Sequence, residues 1–360
     1  MQIPNRLAML ILAGVLLTGC ASSGRETAPL PETAAVLAEN SETSAVEESV
    51  PTEPSRAGDC ALTVSRLVLS YPGMTENIYC GTAPVEQVCW ESSAPETVSV
   101  ENGVVTAEAK GSAEITAAWG EETLSCTVEC LADSQEDFMA MDDHLLENPI
   151  RELPSSQPGT CTYFDDAGFV GDSVTYQLLY TPGREERIGS PVAMFRRSAS
   201  VKGFVDRFWN LNFRGEDIPL EDAIAESGVK RVFIMLGSND MGYQSVEEVM
   251  DNWDVLITRI QEKTPQVEIY VESILPSGTG NRAFNEKNEK IARYNAALKE
   301  FAQKRGLHYL ELAAYFEDSL GRLARCYSSD GDVHITETAV YKWSEILRLF
   351  AQRQGEGENK

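Results

Sequence analysis

Three short stretches hold residue types that can do chemistry together. An apolar run over Ala167–Val170 stops abruptly at Gly171-Asp172-Ser173, which sets a hydroxyl at a sharp turn. A second apolar run, Arg231–Leu236, stops at Gly237-Ser238-Asn239-Asp240 and supplies a carboxamide. A late loop, Ser329-Asp330-Gly331-Asp332-Val333-His334-Ile335-Thr336, supplies carboxylates and an imidazole. Hydroxyl, imidazole, carboxylate and amide donor are the groups that serine-based acyl transfer needs: a weak nucleophile, a base to activate it, an orienting acid and a cradle for the oxyanion. If an imidazole is the base, elimination points to one residue. The chain has 3 histidines. His144 lies in an acidic, proline-containing connector and His308 inside an apolar strand-like run, which leaves His334 in a loop beside acids.

The elements that must position these groups read as alternating strands and helices. Ala167–Gly171 predicts a buried strand with a helix resuming at Ser173, so the hydroxyl sits at a strand's carboxyl end beside a helix N-terminus rich in unpaired N–H groups. Val192–Arg196, Arg231–Leu236, Val267–Ser273 and Leu307–Leu312 predict further strands; Leu220–Glu226, a helix opened by the capping box Ser245-Val246-Glu247-Glu248, Asn285–Arg305 and Thr336–Arg348 predict helices between and after them. Val249, Trp253, Leu256 and Ile260 share one helix face, as do Ile291, Tyr294, Ala297, Leu298 and Phe301. Repeats of this kind give a mainly parallel sheet between helices, and such sheets carry ligands at the carboxyl edge where all three reactive stretches end.

Residues 167 to about 350 resemble the SGNH (GDSL-type) hydrolase family, on Gly171-Asp172-Ser173, Gly237-Ser238-Asn239-Asp240, the Asp-Gly…His loop and the helix run Tyr294-Asn295-Ala296-Ala297-Leu298. The resemblance implies a flavodoxin-like sheet and cofactor-free hydrolysis of esters, often acetyl esters on carbohydrates. It implies Ser173 as nucleophile, His334 as base, and the Ser173 N–H and Asn239 side chain as oxyanion donors. Two departures stand out. The family's acid lies three residues before its histidine, where this chain has Gly331; Asp330 preserves the Asp-Gly turn and is preferred, with Asp332 as the alternative. The family's glycine donor after the second strand is replaced by Arg196-Arg197-Ser198-Ala199-Ser200, which leaves the backbone N–H of Arg197 or Ser198 as candidate donors, with an arginine that crowds the pocket or favours an anionic substrate as the alternative.

The remainder of the chain reads as a delivery system. Arg6 followed by the apolar run Leu7–Leu17 and Leu17-Thr18-Gly19-Cys20 resembles a bacterial lipoprotein signal peptide (1–19), with Cys20 the lipidated first residue. Residues 20–59 are an acidic tether too poor in large apolar groups to fold. Residues 60–131 show six short strand-like runs, with Asn102-Gly103 as a hairpin turn. They resemble the bacterial immunoglobulin-like group 2 domains over Val88–Pro95, Val98–Ala107, Gly111–Ala117 and Cys126–Val128, and read as a spacer. Residues 132–159 read as a loosely packed linker, 160–352 as the hydrolase domain and 353–360 as a tail.

Of 8 cysteines, five crowd the small β domain. That suits an oxidising compartment, with Cys89–Cys126, Cys60–Cys130 and Cys161–Cys326 as candidate pairs. No metal-ligand spacing is present. With 56 acidic against 30 basic residues, a net charge of −26 and no basic block, the composition argues against nucleic acid and anionic membrane surfaces as partners. The expectation is an α/β enzyme behind an all-β module, anchored through Cys20 on the outer face of a bacterial membrane and hydrolysing short acyl esters on glycans. The competing expectation is a non-catalytic glycan-binding lipoprotein with a degenerate hydrolase domain.

Overall fold

The computed structural model describes residues 63–80, 83–157, 159, 161–278 and 284–358. The signal peptide, Cys20, the tether and Cys60 lie outside the described residues.

The N-terminal β layer comprises β1 (Arg66–Leu69), β2 (Thr75–Asn77), β3 (Cys89–Ser92), β4 (Val98–Glu101), β5 (Val104–Ala107), β6 (Gly111–Trp119) and β7 (Glu122–Cys130). These form a five-stranded sheet in the order β3-β6-β7-β1-β8, closed by β8 (Arg151–Glu152), and a three-stranded sheet β2-β5-β4. Alternating residues of both sheets, among them Leu67, Ile115 and Val128 from one and Val98 and Val105 from the other, bury into one apolar cluster. Asn102 and Gly103 take φ of 49° and 77° between β4 and β5, the left-handed pair a tight hairpin requires. The apolar stretch over 85–90 forms a short 3-10 turn, Val85–Gln87, and the start of β3.

The segment expected as a loose linker is stitched to both neighbours. It forms α1 (Gln135–Met139), α2 (Asp143–Leu146) and β8, which pairs antiparallel with β1. The Ile150 N–H donates to Glu317 O, the Arg151 guanidinium pairs with Glu76 at 2.5 Å, and Lys342 Nζ donates to Arg151 O. These contacts join residues far apart in the chain, which no local pattern announces.

The described cysteines Cys80, Cys89, Cys126, Cys130, Cys161 and Cys326 are all free, so none of the expected pairings is made by them. For Cys89 and Cys126 the reason is strand order. Both lie in the same sheet with β6 between them, an interval of about 9–10 Å at ordinary strand spacing and beyond the roughly 7 Å a disulfide can span. Burial pushes the Cys126 thiol up to about 12.

The second layer system is built on β9 (Ala167–Gly171), β10 (Val192–Phe195), β13 (Arg231–Met235), β14 (Glu268–Glu272) and β15 (His308–Leu310), in the order β10-β9-β13-β14-β15. All four pairings are parallel. This is the 2-1-3-4-5 order of the doubly wound flavodoxin-like sheet, whose switch point falls beside its first strand. A hairpin of β11 (Leu211–Phe213) and β12 (Glu216–Ile218) lies next to β10. Helices α3 (Ser173–Tyr180), α4 (Arg184–Ile188), α5 (Val201–Val205), α6 (Leu220–Ser227), α7 (Val246–Lys263), α8 (Phe284–Arg305) and α9 (Glu337–Glu358) complete the domain. The expected capping box at Ser245 and Glu248 is formed, and Val249, Trp253, Leu256 and Ile260 are buried.

One aromatic ladder crosses the sheet. Phe169, Phe233, Tyr270 and His308 occupy facing register positions on adjacent strands and stack at centroid separations of 5.0, 4.6 and 4.4 Å. His308 is its last rung, and burial lowers its pKa. The ladder fixes the strands laterally, which aligns their carboxyl ends and the loops that leave them.

Candidate active site

Ser173 is the first residue of α3, at the carboxyl end of β9, the strand at the switch point. The turn is sharp because Asp172 leaves the strand and caps the helix, its Oδ1 accepting from the Val174 N–H at 2.9 Å. Gly171 is required: a Cβ there would collide with Thr175 Oγ1 and sit 2.9 Å from Met235 O. The Ser173 N–H, at the first position of the helix, has no acceptor inside the described chain, as helix geometry dictates.

Ser173 Oγ lies 3.0 Å from His334 Nε2 although 161 residues separate them. On the other side of the ring, His334 Nδ1 meets Asp330 Oδ2 at 2.6 Å. Asp330 Oδ1 accepts from the backbone N–H groups of Asp332 and His334 at 2.8 and 3.3 Å, so the acid is oriented by the turn it belongs to. Partial burial works to raise its pKa, but the His334 ring and these N–H groups outweigh it and hold the carboxyl below the usual range. Asp332 points elsewhere: its Oδ1 accepts from Ser277 Oγ and, at 2.6 Å, from Lys287 Nζ of α8. The structure therefore separates the two candidate acids, with Asp330 on the imidazole and Asp332 anchoring the loop.

Asn239 reaches the site from the loop after β13. Gly237, at φ 125°, lets that loop turn under Tyr294, whose hydroxyl donates to Leu236 O and accepts from Trp253 Nε1. A Cβ at Gly237 would collide with the Tyr294 ring. The Asn239 carboxamide spends both of its hydrogens internally, on Asp172 Oδ2 at 2.8 Å and Ala199 O at 2.9 Å. It is thus placed beside Ser173 but committed to neighbours. Asp172 itself is buried, and burial pushes its carboxyl up to about 6 against the pull of the Val174 N–H and the His334 charge.

The turn after β10 carries the remaining candidates. Ser198 takes φ 59°, the left-handed conformation in which a glycine is at ease. Neither the Arg197 nor the Ser198 N–H has an internal acceptor among the described residues. Asp240 holds this turn from beneath. Fully buried, it accepts from the N–H groups of Val201 and Lys202 at 2.9 and 3.2 Å and from Gln244 Nε2 at 2.6 Å. Burial raises its pKa, with those donors working against the rise.

Sequence reading missed the fasteners. Gln177 and Asp240 each tie one catalytic segment to another, and Ser277 and Lys287 tie the histidine loop to the loop after β14 and to α8, through contacts 38 to 158 residues apart. Asp240 belongs to a quoted motif, so its presence was signalled though its role was not. Gln177 carries no local signal. Among the described residues no group of three His, Cys, Asp or Glu side chains is arranged to hold a metal ion.

A parallel doubly wound sheet that spends its carboxyl edge on a Ser–His–Asp relay defines a serine hydrolase of α/β architecture. The comparisons agree. Residues 169–339 match the GDSL-like Lipase/Acylhydrolase family, and the chain carries a hydrolase domain of this SGNH, or GDSL, type. The chain is 26% identical over 195 residues to the platelet-activating factor acetylhydrolase IB subunit alpha1 of Homo sapiens, covering 52% of this chain and 78% of that protein. Among solved structures it resembles a GDSL-like lipase from Bacteroides thetaiotaomicron at 17% identity and TM-score 0.40, over 53% of this chain and 88% of that one. It also resembles an acetyl-xylooligosaccharide esterase from Geobacillus Stearmophilus at 16% identity and TM-score 0.37, over 55% of this chain and 96% of that one.

Proposed function

We propose that the chain is a serine esterase that removes acetyl or other short acyl groups from extracellular glycans. The observation that carries the reaction is the continuous path from Ser173 Oγ to His334 Nε2 and from His334 Nδ1 to Asp330, at 3.0 and 2.6 Å. Ser173 Oγ attacks the acyl carbon while His334 Nε2 takes its proton. The tetrahedral oxyanion is received by the Ser173 N–H and by the N–H of Arg197 or Ser198, with Asn239 joining when it exchanges the Ala199 carbonyl for the oxyanion. Each such donor contributes about 2.7–4 kcal/mol to the transition state. Collapse breaks the bond to the sugar oxygen, which leaves with the proton from His334. Water then repeats the cycle on the acyl-enzyme and releases the carboxylate.

The glycan ester is favoured by the acetyl-xylooligosaccharide esterase among the structural relatives and by the delivery system read from the sequence. In this reading Cys20 carries a lipid anchor at the outer face of a bacterial membrane, residues 20–59 form the tether, and the β layers are an immunoglobulin-like spacer that carries the active site clear of the surface. The test is hydrolysis of p-nitrophenyl acetate and of an O-acetylated xylo-oligosaccharide by the chain from residue 21 onward, against Ser173→Ala. Equal rates for the two proteins on both substrates would overturn the esterase reading and favour the non-catalytic glycan-binding alternative.

A further inference from the structure

A cavity of about 480 Å³ opens between α3, the free edge of β10 and the β11–β12 hairpin, lined by Tyr176, Tyr180, Phe195, Arg197, Asn210 and Phe213 among others. Two of its lining residues are close in the chain to the reacting centre: Tyr176 is one helical turn beyond Ser173, and Arg197 precedes the Ser198 turn. Its volume is in the range of small-ligand sites, roughly 300–1,000 Å³. Its floor is aromatic. Tyr176 and Tyr180 stack at 4.8 Å and 21°, and Phe195 tilts against them at 5.0 and 5.5 Å. Tyr180, the last residue of the nucleophile's helix, is 59% exposed.

Its charge runs against that of the molecule. The chain holds 56 acidic and 30 basic residues, yet the lining contains two arginines and no acid. Arg196 is committed, with Nη1 donating to Asn210 O at 2.9 Å and the guanidinium over the Trp209 ring. Arg197 rests over the Tyr176 ring at 4.6 Å and has no carboxylate partner among the described residues. Asn210 Oδ1 is a buried acceptor without a donor.

We infer that this cavity binds a carboxylate-bearing sugar, a uronate unit of the glycan whose ester is cleaved. This rests on the esterase reading above. The Arg197 fork pairs with the sugar carboxylate, a geometry a planar guanidinium matches on two points. The sugar ring lies against the exposed ring of Tyr180. A carboxylate fits better than a phosphate, because a single uncommitted guanidinium, with no lysine in the lining, matches one negative charge.

The experiment compares kcat/KM for an O-acetylated oligogalacturonide with that for an O-acetylated xylo-oligosaccharide, which lacks the carboxylate. The ratio should favour the acidic substrate by about tenfold or more, the scale of one charge-assisted hydrogen bond. Arg197→Ala should lower that ratio about tenfold, chiefly through KM on the acidic substrate, with Arg197→Lys between the two. Added salt should raise KM for the acidic substrate alone. A ratio near one, or one that Arg197→Ala leaves in place, overturns the inference. Calorimetric titration of unacetylated oligogalacturonide into Ser173→Ala, with and without Arg197→Ala, decides the subsite separately from turnover. Binding that needs Arg197 sustains it even if neither ester is hydrolysed in a Ser173-dependent way, which would defeat only the esterase reading. Absence of binding, or stronger competition from a sugar phosphate than from galacturonate, defeats the uronate assignment.

Discussion

Gln177 and Ile335 form a two-point amide pair: Gln177 Nε2 donates to Ile335 O at 2.9 Å and Gln177 Oε1 accepts from Ile335 N–H at 3.1 Å. Gln177 lies one turn beyond Ser173, and Ile335 directly follows His334. The helix bearing the nucleophile and the loop bearing the base are thereby held in one register. Gln177→Ala should lower kcat by about 10- to 100-fold, the scale of a misplacement near 1 Å, and leave KM nearly unchanged. Gln177→Glu should fall in the same direction, since a carboxylate cannot donate to the Ile335 carbonyl. Steady-state kinetics beside a thermal melt check this; a loss of kcat that tracks a loss of folded protein would speak against a positioning role.

Asp330 and Asp332 should behave differently. Asp330→Asn keeps the shape but removes the charge that stabilises the imidazolium and fixes its tautomer, and a fall in kcat on the order of 10³–10⁴ is expected. Asp332→Asn should cost activity far less, because its partners are Ser277 and Lys287. Its effect should show as a lower melting temperature and faster proteolysis of the 328–334 loop. Comparable losses of kcat in the two variants would contradict the assignment.

Ser198 holds φ 59°, which a side chain resists and glycine does not. Ser198→Gly should stabilise the protein by about 0.5–1 kcal/mol, the strain relieved exceeding the backbone entropy added to the unfolded chain. Urea denaturation at equal m-value measures it. Ser198→Val should destabilise, since a β-branched side chain is least tolerant of that conformation.

Glu272, at the carboxyl end of β14, is 1% exposed, and burial pushes its carboxyl up to about 8 against a weaker pull from Trp343. The unfolded chain releases that proton near pH 4.3. Between about pH 4.3 and 8 the native state therefore holds a proton that the unfolded state has lost, so stability is greatest below this window and falls as pH rises through it. The slope from this one group approaches about 1.4 kcal/mol per pH unit. Glu272→Gln, which stays neutral, should flatten the wild-type decline. Denaturation across the window compares them, and parallel curves would show that Glu272 ionises normally.

Cys89, exposed, should alkylate in the native protein, while Cys126, buried and pushed up to about 12, should stay unmodified until unfolding. Peptide mapping after brief iodoacetamide treatment reads this out.

Local patterns carried a great deal. The apolar runs that end at Ser173 and Asn239, the capping box at Ser245 and the turn at Asn102-Gly103 are short-range facts, set by side-chain period and backbone preference, so they were legible along the chain. Counting histidines and placing them on elements was enough to single out His334. What lay beyond reach depends on distance through space. Asp330 and Asp332 differ by two positions in one loop, and only the fold sends one to the imidazole and the other to Lys287. Cys89 and Cys126 fall on neighbouring-looking strands, yet the sheet order puts β6 between them. Arg197 is one of 30 basic residues along the chain, and only the fold brings it into one cavity with Tyr176, Tyr180 and Phe195. A hydroxyl, an imidazole and an acid can be listed from a sequence because their chemistry belongs to the residue. Which of them meet is decided by strand order and long-range packing, because those alone set the distances on which proton transfer and charge pairing depend.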